Sequence, residues 1–543
     1  MFSSDNDFNK CPLCGPVNSQ AFPQSARAPR VLHLLQCNES PTDAELSKFQ
    51  ETVKTAPGRL AELDEKIAQA RKSLDALTLE RIAIEADMGD AKALSSPVRR
   101  LPPDIVRTIC LDTIPSPFEI MSMLDDRSSL NHTRPPWTLS QVCRSWRSII
   151  VTSPELWSSM SLVLANTFSS SIFSQMFMLG LRFERCQNAP LTVACFSTSD
   201  ISSHPLLSLI IARISTIKNL RVNSPFQSLA ALSLCRGRLE LLHDLRITAF
   251  NSNVRTFSAF GVNSPNLLAT DGMRAGSNAP SIDAFEYAPN LRRFSAYGIL
   301  PKPVTLVPWT QLTHFGLQID HLRDVEVLRR PKNLQDLEIR TETSFVAGEE
   351  YTPVYLPLLT TLALVSTRIP GGSNEIRCMF SLLSVPNIIS LHLVYEGVPV
   401  LPHIKAQNAI TTLEIRRRSV TTGNSAERYS FPGLPKLLNS VNNLQHLILK
   451  SGKPLSSDDI SLLNPSSTNA PLPYLKILDV RGCTFNFDHP IFVGMVNTRR
   501  GGNDAKWNQL ETVYLGSSLV LDDFSAGVWR GLVDDGLQVV YGD

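Results

Sequence analysis

Apolar residues recur at helical spacing through residues 40–96. Ser40 and Pro41 predict a helix start, because serine caps a helix and proline fits its first turn. Pro57-Gly58 predicts an interruption, after which the spacing of 3 and 4 residues resumes and runs to Ala91. A stripe of more than four heptads is typical of a coiled coil. The partner stays open: the segment is either a dimerisation stalk or a helix folded back on its own chain.

Two shorter helices are predicted within residues 97–162. Pro102-Pro103 comes before a short apolar helix that ends near Cys110. A second helix is predicted from Leu139 to Ile150, and Ser153-Pro154 should end it, since proline disfavours helical geometry in the residue before it. Its apolar positions form one continuous face: Leu139, Val142, Cys143, Trp146, Ile149 and Ile150. A long polar loop, 115–137, separates the two helices.

One phrase of the form L-x-x-L-x-L returns along residues 163–543. Clear copies are NLRRFSA at 290, QLTHFGL at 311, NLQDLEI at 333, LLTTLAL at 358, NIISLHL at 387, AITTLEI at 409, NLQHLIL at 443, YLKILDV at 474 and QLETVYL at 509. Weaker copies stand at 217 and 242. The last three apolar positions alternate as in a strand, which predicts a leucine-rich-repeat solenoid with one short parallel strand per turn. Cys483 should turn inward, and a helix around Trp529 with a strand at 537–541 should close the stack.

Composition narrows the class of protein. With 43% apolar and 19% charged residues, the composition is typical of a globular protein. A chain of 543 residues is too long for a single hydrophobic core, so we expect several domains or a repeat. A net charge of +2 gives no general case for nucleic acid or an anionic membrane. The uncharged stretch 156–181 carries too many serines and amides for a membrane span, and no secretory signal is evident. We therefore expect an intracellular protein, cytoplasmic or nuclear, with reduced cysteines.

Candidate chemistry is sparse. Residues 1–39 read as a disordered, proline-containing tail. Within it, Cys11, Cys14, His33 and Cys37 have a spacing compatible with zinc, but a single C-x2-C is weak evidence, and the zinc question stays open. No phosphate-binding, hydrolase or metalloprotease motif is present. We expect no catalytic residues, no cofactor and no resident metal.

The block from Leu101 to Leu162 resembles an F-box domain, in particular the F-box-like proteins of mushroom-forming fungi. The resemblance is carried by Leu101-Pro102 and the helix after it, then by LSQVCRSWRSI, then by SPELWSSMSL. SPTDAEL with its heptads, and FERCQNAPLTVACF at 183–196, are similar to the same group. The long loop 115–137 departs from a typical F-box. The resemblance implies docking onto a Skp-type adaptor, and through it a cullin, with the repeats presenting a protein substrate.

Two sets of candidate binding residues follow. A three-helix module this small leaves apolar surface for a second chain, although a purely local core is the alternative. The adaptor-facing and domain-core set, which the sequence leaves undivided, is Leu101, Pro102, Ile105, Val106, Ile109, Leu139, Val142, Cys143, Trp146 and Ile149. Trp157 should pack the module onto the first repeat. Side chains between the inward leucines predict the substrate surface: Asp336, Glu338, Arg340, His392, Glu414, Arg416, Lys450, Asp479, Arg481 and Tyr514.

The expected fold is therefore multidomain, α plus α/β: a tail (1–39), a coiled-coil helix (40–96), a small helical F-box (97–162) and a repeat solenoid with parallel strands (163–543). The expected function is substrate recognition within a Skp–cullin–F-box ubiquitin ligase, without catalysis by this chain. The alternative is a non-ligase scaffolding repeat protein that forms homo-oligomers through its coiled coil. We expect neither nucleic acid nor membrane among its partners.

Overall fold

The computed structural model divides the chain into two units, Met1–Leu101 and Pro102–Asp543. It describes residues 10–11, 15–16, 28–37, 39–114, 128–164, 172–250, 282–298, 306–319, 321–341, 351–366, 375–395, 409–417, 431, 434–465, 472–484, 489–501, 508–516 and 523–542. Each unit is described by itself.

The first unit is dominated by one helix. Its elements are the antiparallel strands β1 (Lys10–Cys11) and β2 (Gly15–Pro16), helix α1 (Pro29–Gln36), helix α2 (Asp43–Ser95) and a 3₁₀ turn (Pro97–Arg100). Helix α2 runs for 53 residues without a break at Pro57, so the predicted interruption is wrong. None of its side chains, all of which the structure describes, is buried.

The start of α2 also differs from the prediction. Its N-cap is Thr42, not Ser40, and Thr42 forms a capping box with Glu45: the Thr42 N–H donates to the Glu45 carboxylate over 2.8 Å, and Thr42 Oγ1 accepts from the Glu45 N–H. Helix α1 lies in the segment predicted as disordered. Arg30 ties it to the start of α2 through ion pairs with Glu39 (3.0 Å) and Glu45 (3.2 Å).

The second unit contains the remaining elements. Its helices are α3 (Pro103–Thr113), α4 (Arg144–Val151), α5 (Ile172–Cys186), α6 (Pro205–Ala212), α7 (Glu375–Ser381), α8 (Leu434–Leu438), α9 (Ser457–Leu462), α10 (His489–Gly501) and α11 (Asp523–Asp534). Its 3₁₀ segments are Leu139–Gln141, Pro154–Leu156, Ile214–Thr216, Phe226–Cys235, Trp309–Gln311 and Leu322–Arg329.

The strands of this unit are β3 (Ser159–Val163), β4 (Leu191–Phe196), β5 (Ile217–Pro225), β6 (Asp244–Phe250), β7 (Arg293–Gly298), β8 (His314–Gln318), β9 (Asp336–Thr341), β10 (Val354–Tyr355), β11 (Thr361–Ser366), β12 (Leu383–Ser384), β13 (Ser390–Tyr395), β14 (Thr412–Arg417), β15 (His446–Pro454), β16 (Ile477–Thr484), β17 (Thr512–Leu515) and β18 (Gln538–Tyr541). Strands β10 and β12 pair with each other, and the others form one 14-stranded sheet whose strand order follows the chain.

Every pairing in the large sheet is parallel, as expected of a solenoid-like α/β fold in which each turn adds one strand beside the last. The second residue of each clear copy of the phrase, a leucine or an isoleucine, is buried: Leu291, Leu312, Leu334, Leu359, Ile388, Ile410, Leu444, Leu475 and Leu510. The predicted solenoid-like arrangement of parallel strands is therefore confirmed. Cys483 is buried as predicted, and its thiol donates to the Leu449 carbonyl over 3.4 Å.

At the β3 edge, the sheet includes a strand that lies before the predicted repeat region. At the β18 edge, it ends with the helix and strand that were predicted. Strand β3 lies inside the block 97–162 and pairs with β4, so the helical block continues directly into the sheet. At the other end, α11 and β18 form the expected closing helix and strand.

The predicted helix from Leu139 to Ile150 is divided in the structure. A 3₁₀ turn ends at Gln141, and the backbone of Cys143 is extended, so α4 begins only at Arg144. The Cys143 thiol takes the N-cap role and accepts a hydrogen bond from the Trp146 N–H over 3.5 Å. The helix stops before Ser153-Pro154, as predicted.

The end of the predicted polar loop 115–137 belongs to the core. Residues 115–127 lie outside the described residues, but Leu130 and Trp137 are buried. The Trp137 indole N–H donates to the Ser129 carbonyl over 3.0 Å, which satisfies its polar atom inside the core. Among the described residues, no helix has both the length and the apolar character needed to cross a bilayer.

Candidate functional site

The predicted substrate residues lie on one face of the 14-stranded sheet. We call this the polar face: it carries the side chains that alternate with the buried leucines. The parallel register places equivalent positions side by side, so that His392 pairs with Glu414, and Asp479 pairs with Tyr514. The alternation of buried and half-exposed residues along β9, β13 and β14 follows directly from the two-residue period of a strand.

A first cluster on the polar face joins Glu338 to two arginines. Arg340 Nε donates to one carboxylate oxygen of Glu338 over 2.6 Å, and Arg246 donates to the other over 3.3 Å. Both guanidinium groups also lie against the ring of Tyr297. Burial alone would raise the pKa of Glu338, but the charges of Arg340 and Arg246 outweigh it and hold that pKa below its usual range.

A second cluster is a hydrogen-bonded chain centred on His392. Its Nε2 lies 2.9 Å from Ser390 Oγ, its Nδ1 lies 2.8 Å from the Glu414 carboxylate, and Lys450 Nζ donates to the other oxygen of Glu414 over 2.9 Å. The hydrogen bond from His392, opposed by burial and reinforced by Lys450, lowers the pKa of Glu414 to about 2.

The order serine, histidine, carboxylate is that of a hydrolytic triad, but the surroundings differ from those of one. A nucleophilic serine needs N–H donors aimed at the developing oxyanion. The N–H of Ser390 donates instead to the Thr360 carbonyl over 2.9 Å, because Ser390 is the first residue of a paired strand. Within the described residues, this hydrogen-bonded network fixes the orientation of His392, and the Ser390 N–H is engaged in the sheet and not directed at an oxyanion.

A third cluster joins Asp479, Arg481 and Tyr514. Asp479 is buried and held bidentately by Arg481, with Nε and one terminal nitrogen of the guanidinium at 3.1 and 2.7 Å from its two oxygens. Asp479 therefore holds the guanidinium group of Arg481 in place. The Arg481 guanidinium lies 4.6 Å from the centre of the Tyr514 ring, so Arg481 and Tyr514 are the half-exposed members of this cluster.

The two remaining predicted residues lie at different places on the face. Asp336 contacts Nε2 of His314, and burial lowers the pKa of His314 although this carboxylate lies against it. Arg416 is exposed on β14. The ten predicted positions thus share one face but form separate clusters, not one continuous site.

The predicted adaptor residues fall into an inner and an outer row on α3. Val106 and Cys110, four residues apart, are buried, whereas Ile105 and Ile109 form the adjacent row and are 43% and 37% exposed. Helix α3 packs against α4, and Arg107 ties it to the following turn through Ser153 Oγ (3.2 Å). The structure therefore divides the predicted set: Val106 belongs to the core, and Ile105 and Ile109 face outward.

On α4 and the turn before it, the same division holds. Ile150 is fully buried, Trp146, Ile149 and Leu139 are half-buried, and Val142 is 57% exposed. Cys143 and Pro102 are exposed, and Leu101, the last residue of the first unit, is half-buried. Because the helix breaks at Cys143, Val142 is not part of the α4 core face that the continuous helix predicted.

Trp157 has the packing role predicted for it. It is 0% exposed, and its ring lies 4.7 Å from that of Trp137, edge to face. Arg185 of α5 lies over the same ring at 4.3 Å. These contacts fix the helical block to α5 and to the start of the sheet.

Comparison with known proteins adds no assignment. No family model matches the chain, and no curated protein is significantly similar to it.

One cluster in the first unit bears on the zinc site that the sequence suggests. His33 and Cys37 lie four residues apart at the end of α1, with Sγ and Nδ1 separated by 3.5 Å, and the Glu39 carboxylate is within reach of both. Cys11 is part of β1, and Cys14 lies outside the described residues. His33 and Glu39 are exposed and Cys37 is half-buried, and groups of this kind are common without a metal, so they do not by themselves establish a zinc site.

The polar face also contains residues that the sequence prediction left out. Arg221 and Arg246 lie at the same position of the repeated phrase as Glu338, the residue between its last two apolar positions. They belong to the two weaker copies. The sequence signal for both arginines is L-R-V and L-R-I in the two weaker copies of the phrase. Tyr297 was missed because it follows the end of its phrase.

Proposed function

We propose that the chain is the substrate-recognition subunit of a Skp–cullin–F-box ubiquitin ligase, with residues 97–162 as its F-box. The observation that supports this most strongly is the row of Ile105 and Ile109. These are exposed apolar side chains on a helix whose other row, Val106 and Cys110, already fills the local core. Exposed apolar surface that the local fold does not need is typical of a protein interface. In the proposal, a Skp-type adaptor covers this row together with Val142 and Trp146.

The repeat region has the second role in this proposal. We interpret its turns as leucine-rich repeats whose polar face binds a protein substrate, and ubiquitin transfer is performed by the partners that the adaptor and cullin recruit. The half-exposed charged clusters at Glu338, Glu414 and Arg481 support this assignment, because they are held in place by neighbours and remain accessible.

The test is co-expression of the full chain with a Skp-type adaptor, followed by affinity purification. The wild type should form a stoichiometric complex. Ile105→Ser combined with Ile109→Ser should lose the adaptor while the fold is kept, since both side chains are exposed in the free chain. Leu111→Ser is the matched control, because Leu111 is 42% exposed on the same helix but lies outside the row.

Three outcomes decide the proposal. Adaptor binding by the wild type and by the Leu111 variant, but not by the double variant, supports it. Equal loss in both variants indicates general damage to α3 and contradicts the assigned row. A wild-type chain that fails to bind any Skp-type adaptor contradicts the proposal as a whole.

A second candidate function rests on α2. Its apolar stripe is exposed along the helix, which favours a coiled coil between copies of the chain. The stripe consists of Leu60, Leu63, Ile67, Ala70, Leu74, Leu77, Ile84, Met88 and Ala91. A scaffold that oligomerises through α2 and binds no adaptor is the alternative. The two functions differ in the co-expression experiment: a scaffold gives a homo-oligomer alone, whereas a receptor gives the adaptor complex.

A further inference from the structure

Helix α2 presents one unbroken heptad pattern to a partner. Because the helix passes through Pro57 without a break, the heptad positions before Pro57 and those after it join into one set, which we call the extended stripe. The extended stripe consists of Leu46, Phe49, Val53, Ala56, Leu60, Leu63, Ile67, Ala70, Leu74, Leu77, Arg81, Ile84, Met88 and Ala91. Every side chain of α2 is described, and none is buried.

The length of α2 indicates what covers the extended stripe. A helix of 53 residues needs a partner helix of matching length to bury a stripe that runs along all of it. Among the helices that the structure describes, the next longest is α5, with 15 residues. A second copy of α2 has the matching length.

The order of large and small side chains favours an antiparallel pair of such helices. Turning one copy end for end can bring Ile67 of one copy opposite Ala70 of the other, and the heptad spacing then fixes the remaining layers. The layers pair Leu46 with Ala91, Phe49 with Met88, Val53 with Ile84, Ala56 with Arg81, Leu60 with Leu77, Leu63 with Leu74, and Ile67 with Ala70. Each alanine thereby meets a larger side chain. A parallel pair in register would place each alanine against its own copy and leave gaps between the helices.

Arg81, the one charged member of the extended stripe, favours the same orientation. In a parallel pair in register, the two Arg81 guanidinium groups would meet in one layer, which is costly for like charges away from water. In the antiparallel pair, Arg81 lies opposite Ala56, whose small side chain leaves room for the arginine stem. The Arg81 Nε donates to Glu85 over 3.0 Å, so the guanidinium group already turns from the extended stripe toward the flank of the helix.

The charges that flank the extended stripe are complementary in this register. The facing positions nearest in height pair Asp64 with Arg71, Arg59 with Glu80, and Asp43 with Lys92, each twice by the two-fold symmetry. None of the other nearest flanking pairs joins two like charges. In a parallel pair, Lys66 would lie beside Arg71, and Glu80 beside Glu85, so repulsion would offset the attraction elsewhere on the flanks.

We propose that α2 pairs with α2 of a second copy as an antiparallel two-stranded coiled coil, with Ile67 of one copy opposite Ala70 of the other. The partner is that of the second candidate function, on which this inference rests, and the new content is the orientation and the register. The two Ser95 residues, at which the helices end, then lie about 80 Å apart along the pair, whereas a parallel pair would set them side by side.

Cross-linking of the full chain tests which positions are neighbours. Leu60→Cys and Leu77→Cys are made in separately tagged copies, expressed alone and together, and treated with a short bis-maleimide cross-linker. In the antiparallel pair, position 60 lies beside position 77 of the other copy, while the two positions 60 are about 25 Å apart. Mass spectrometry should therefore find peptides that link 60 to 77 in the mixed sample. Links between two positions 60 in the Leu60→Cys sample would indicate a parallel pair and overturn the inference.

A charge reversal tests the same register without changing the apolar layers. Arg71→Glu should weaken the dimer about tenfold, because both pairs with Asp64 are lost and like charges face each other instead. Adding Asp64→Arg to this variant should restore the dimer, since each pair is then reversed. In a parallel pair, Arg71→Glu would strengthen association, because position 71 would face Lys66. Lys72→Glu is the matched control: it makes the same charge change at the next residue, which lies outside the flanks.

Analytical ultracentrifugation across a concentration series measures the mass and the dissociation of each variant, and circular dichroism checks that its helix content is kept. A monomeric wild type, a mass above that of a dimer, or a dimer without the link from 60 to 77 overturns the inference. Equal weakening by Arg71→Glu and Lys72→Glu would mean that net charge, not register, governs association, and overturns it as well.

Adaptor co-purification separates this inference from the ligase assignment. It should be unchanged in Arg71→Glu, since position 71 does not belong to the Ile105 row. A chain that binds the adaptor but forms no antiparallel dimer contradicts only the coiled coil. An antiparallel dimer that binds no adaptor contradicts only the ligase assignment.

Discussion

The indole Nε1 of Trp157 donates a hydrogen bond to the carbonyl oxygen of Ile150 over 2.8 Å. This bond joins the last turn of α4 to Trp157, which lies two residues before strand β3. Arg182, which is buried, extends the same connection by donating to the carbonyls of Trp157 (3.0 Å) and Ser159 (2.5 Å). Burial lowers the pKa of Arg182 to about 10. Trp157 is thus a structural residue, whereas Trp146, eleven positions earlier, is half-exposed.

Trp157→Ala should therefore destabilise the chain far more than Trp146→Ala. Removing a fully buried tryptophan costs about 3–5 kcal/mol, and the half-exposed Trp146 should cost about 1–2 kcal/mol. Urea denaturation followed by circular dichroism measures both. Equal losses of stability would contradict the division of the two tryptophans into a core residue and a surface residue.

Gly298→Ala should be strongly destabilising because the new methyl group would clash with the neighbouring strand, in addition to the cost of backbone strain. Gly298 has φ +81°, and a Cβ there would lie 1.9 Å from the Ala249 carbonyl oxygen on the neighbouring strand. Gly237 has a similar φ of +73° but open space around it, so Gly237→Ala isolates the strain and should cost about 1 kcal/mol. Thermal melting should show a clearly larger loss for Gly298→Ala, and a loss no greater than that of the control would refute the clash.

The stability of the chain should depend on Glu414 in acid. Its folded pKa is about 2, below the ordinary value of 4.5, so the folded state binds the proton less readily than the unfolded state. The stabilisation is present above pH 4.5 and is lost as the pH falls toward 2. Urea midpoints measured across this range should decline less steeply for Glu414→Gln than for the wild type.

His392→Asn offers a check on the cause of that dependence. The hydrogen bond from His392 is the largest contribution that lowers the pKa of Glu414, so its removal should move the acid-induced loss to higher pH. An unchanged profile would mean that Lys450, not His392, sets the behaviour of the carboxylate.

Self-association through α2 should depend on its apolar stripe. Leu74 lies in the stripe and Leu79 lies outside it, yet both are strongly exposed in the single chain. Leu74→Ser should weaken an oligomer and Leu79→Ser should not, because only stripe positions pack in a coiled coil. Light scattering after size exclusion measures the mass of each variant. A monomeric wild type, or equal effects of the two changes, would contradict the coiled coil.

Strand positions were predictable because their pattern is local. Alternation around Leu291, Leu334 or Leu447 places the side chains on two faces whatever the rest of the chain does. The order of the sheet was also predictable, since repeats that follow one another in the chain can only stack in that order. Helix boundaries were less predictable, because the spacing of apolar residues does not show that Thr42 caps α2 or that the helix breaks at Cys143 before α4.

The sequence by itself determined the repeat, the polar face and the apolar character of residues 101–157, because these depend on periods of two and 3.6 residues along one segment. Only the tertiary structure decided that Val106 lies inside and Ile105 outside, that Asp479 is covered by Arg481, and that Arg246 and Arg340 meet around Tyr297. Those outcomes depend on which strands and helices become neighbours. Charge balance and exposure are properties of neighbours in space, so no single segment contains them.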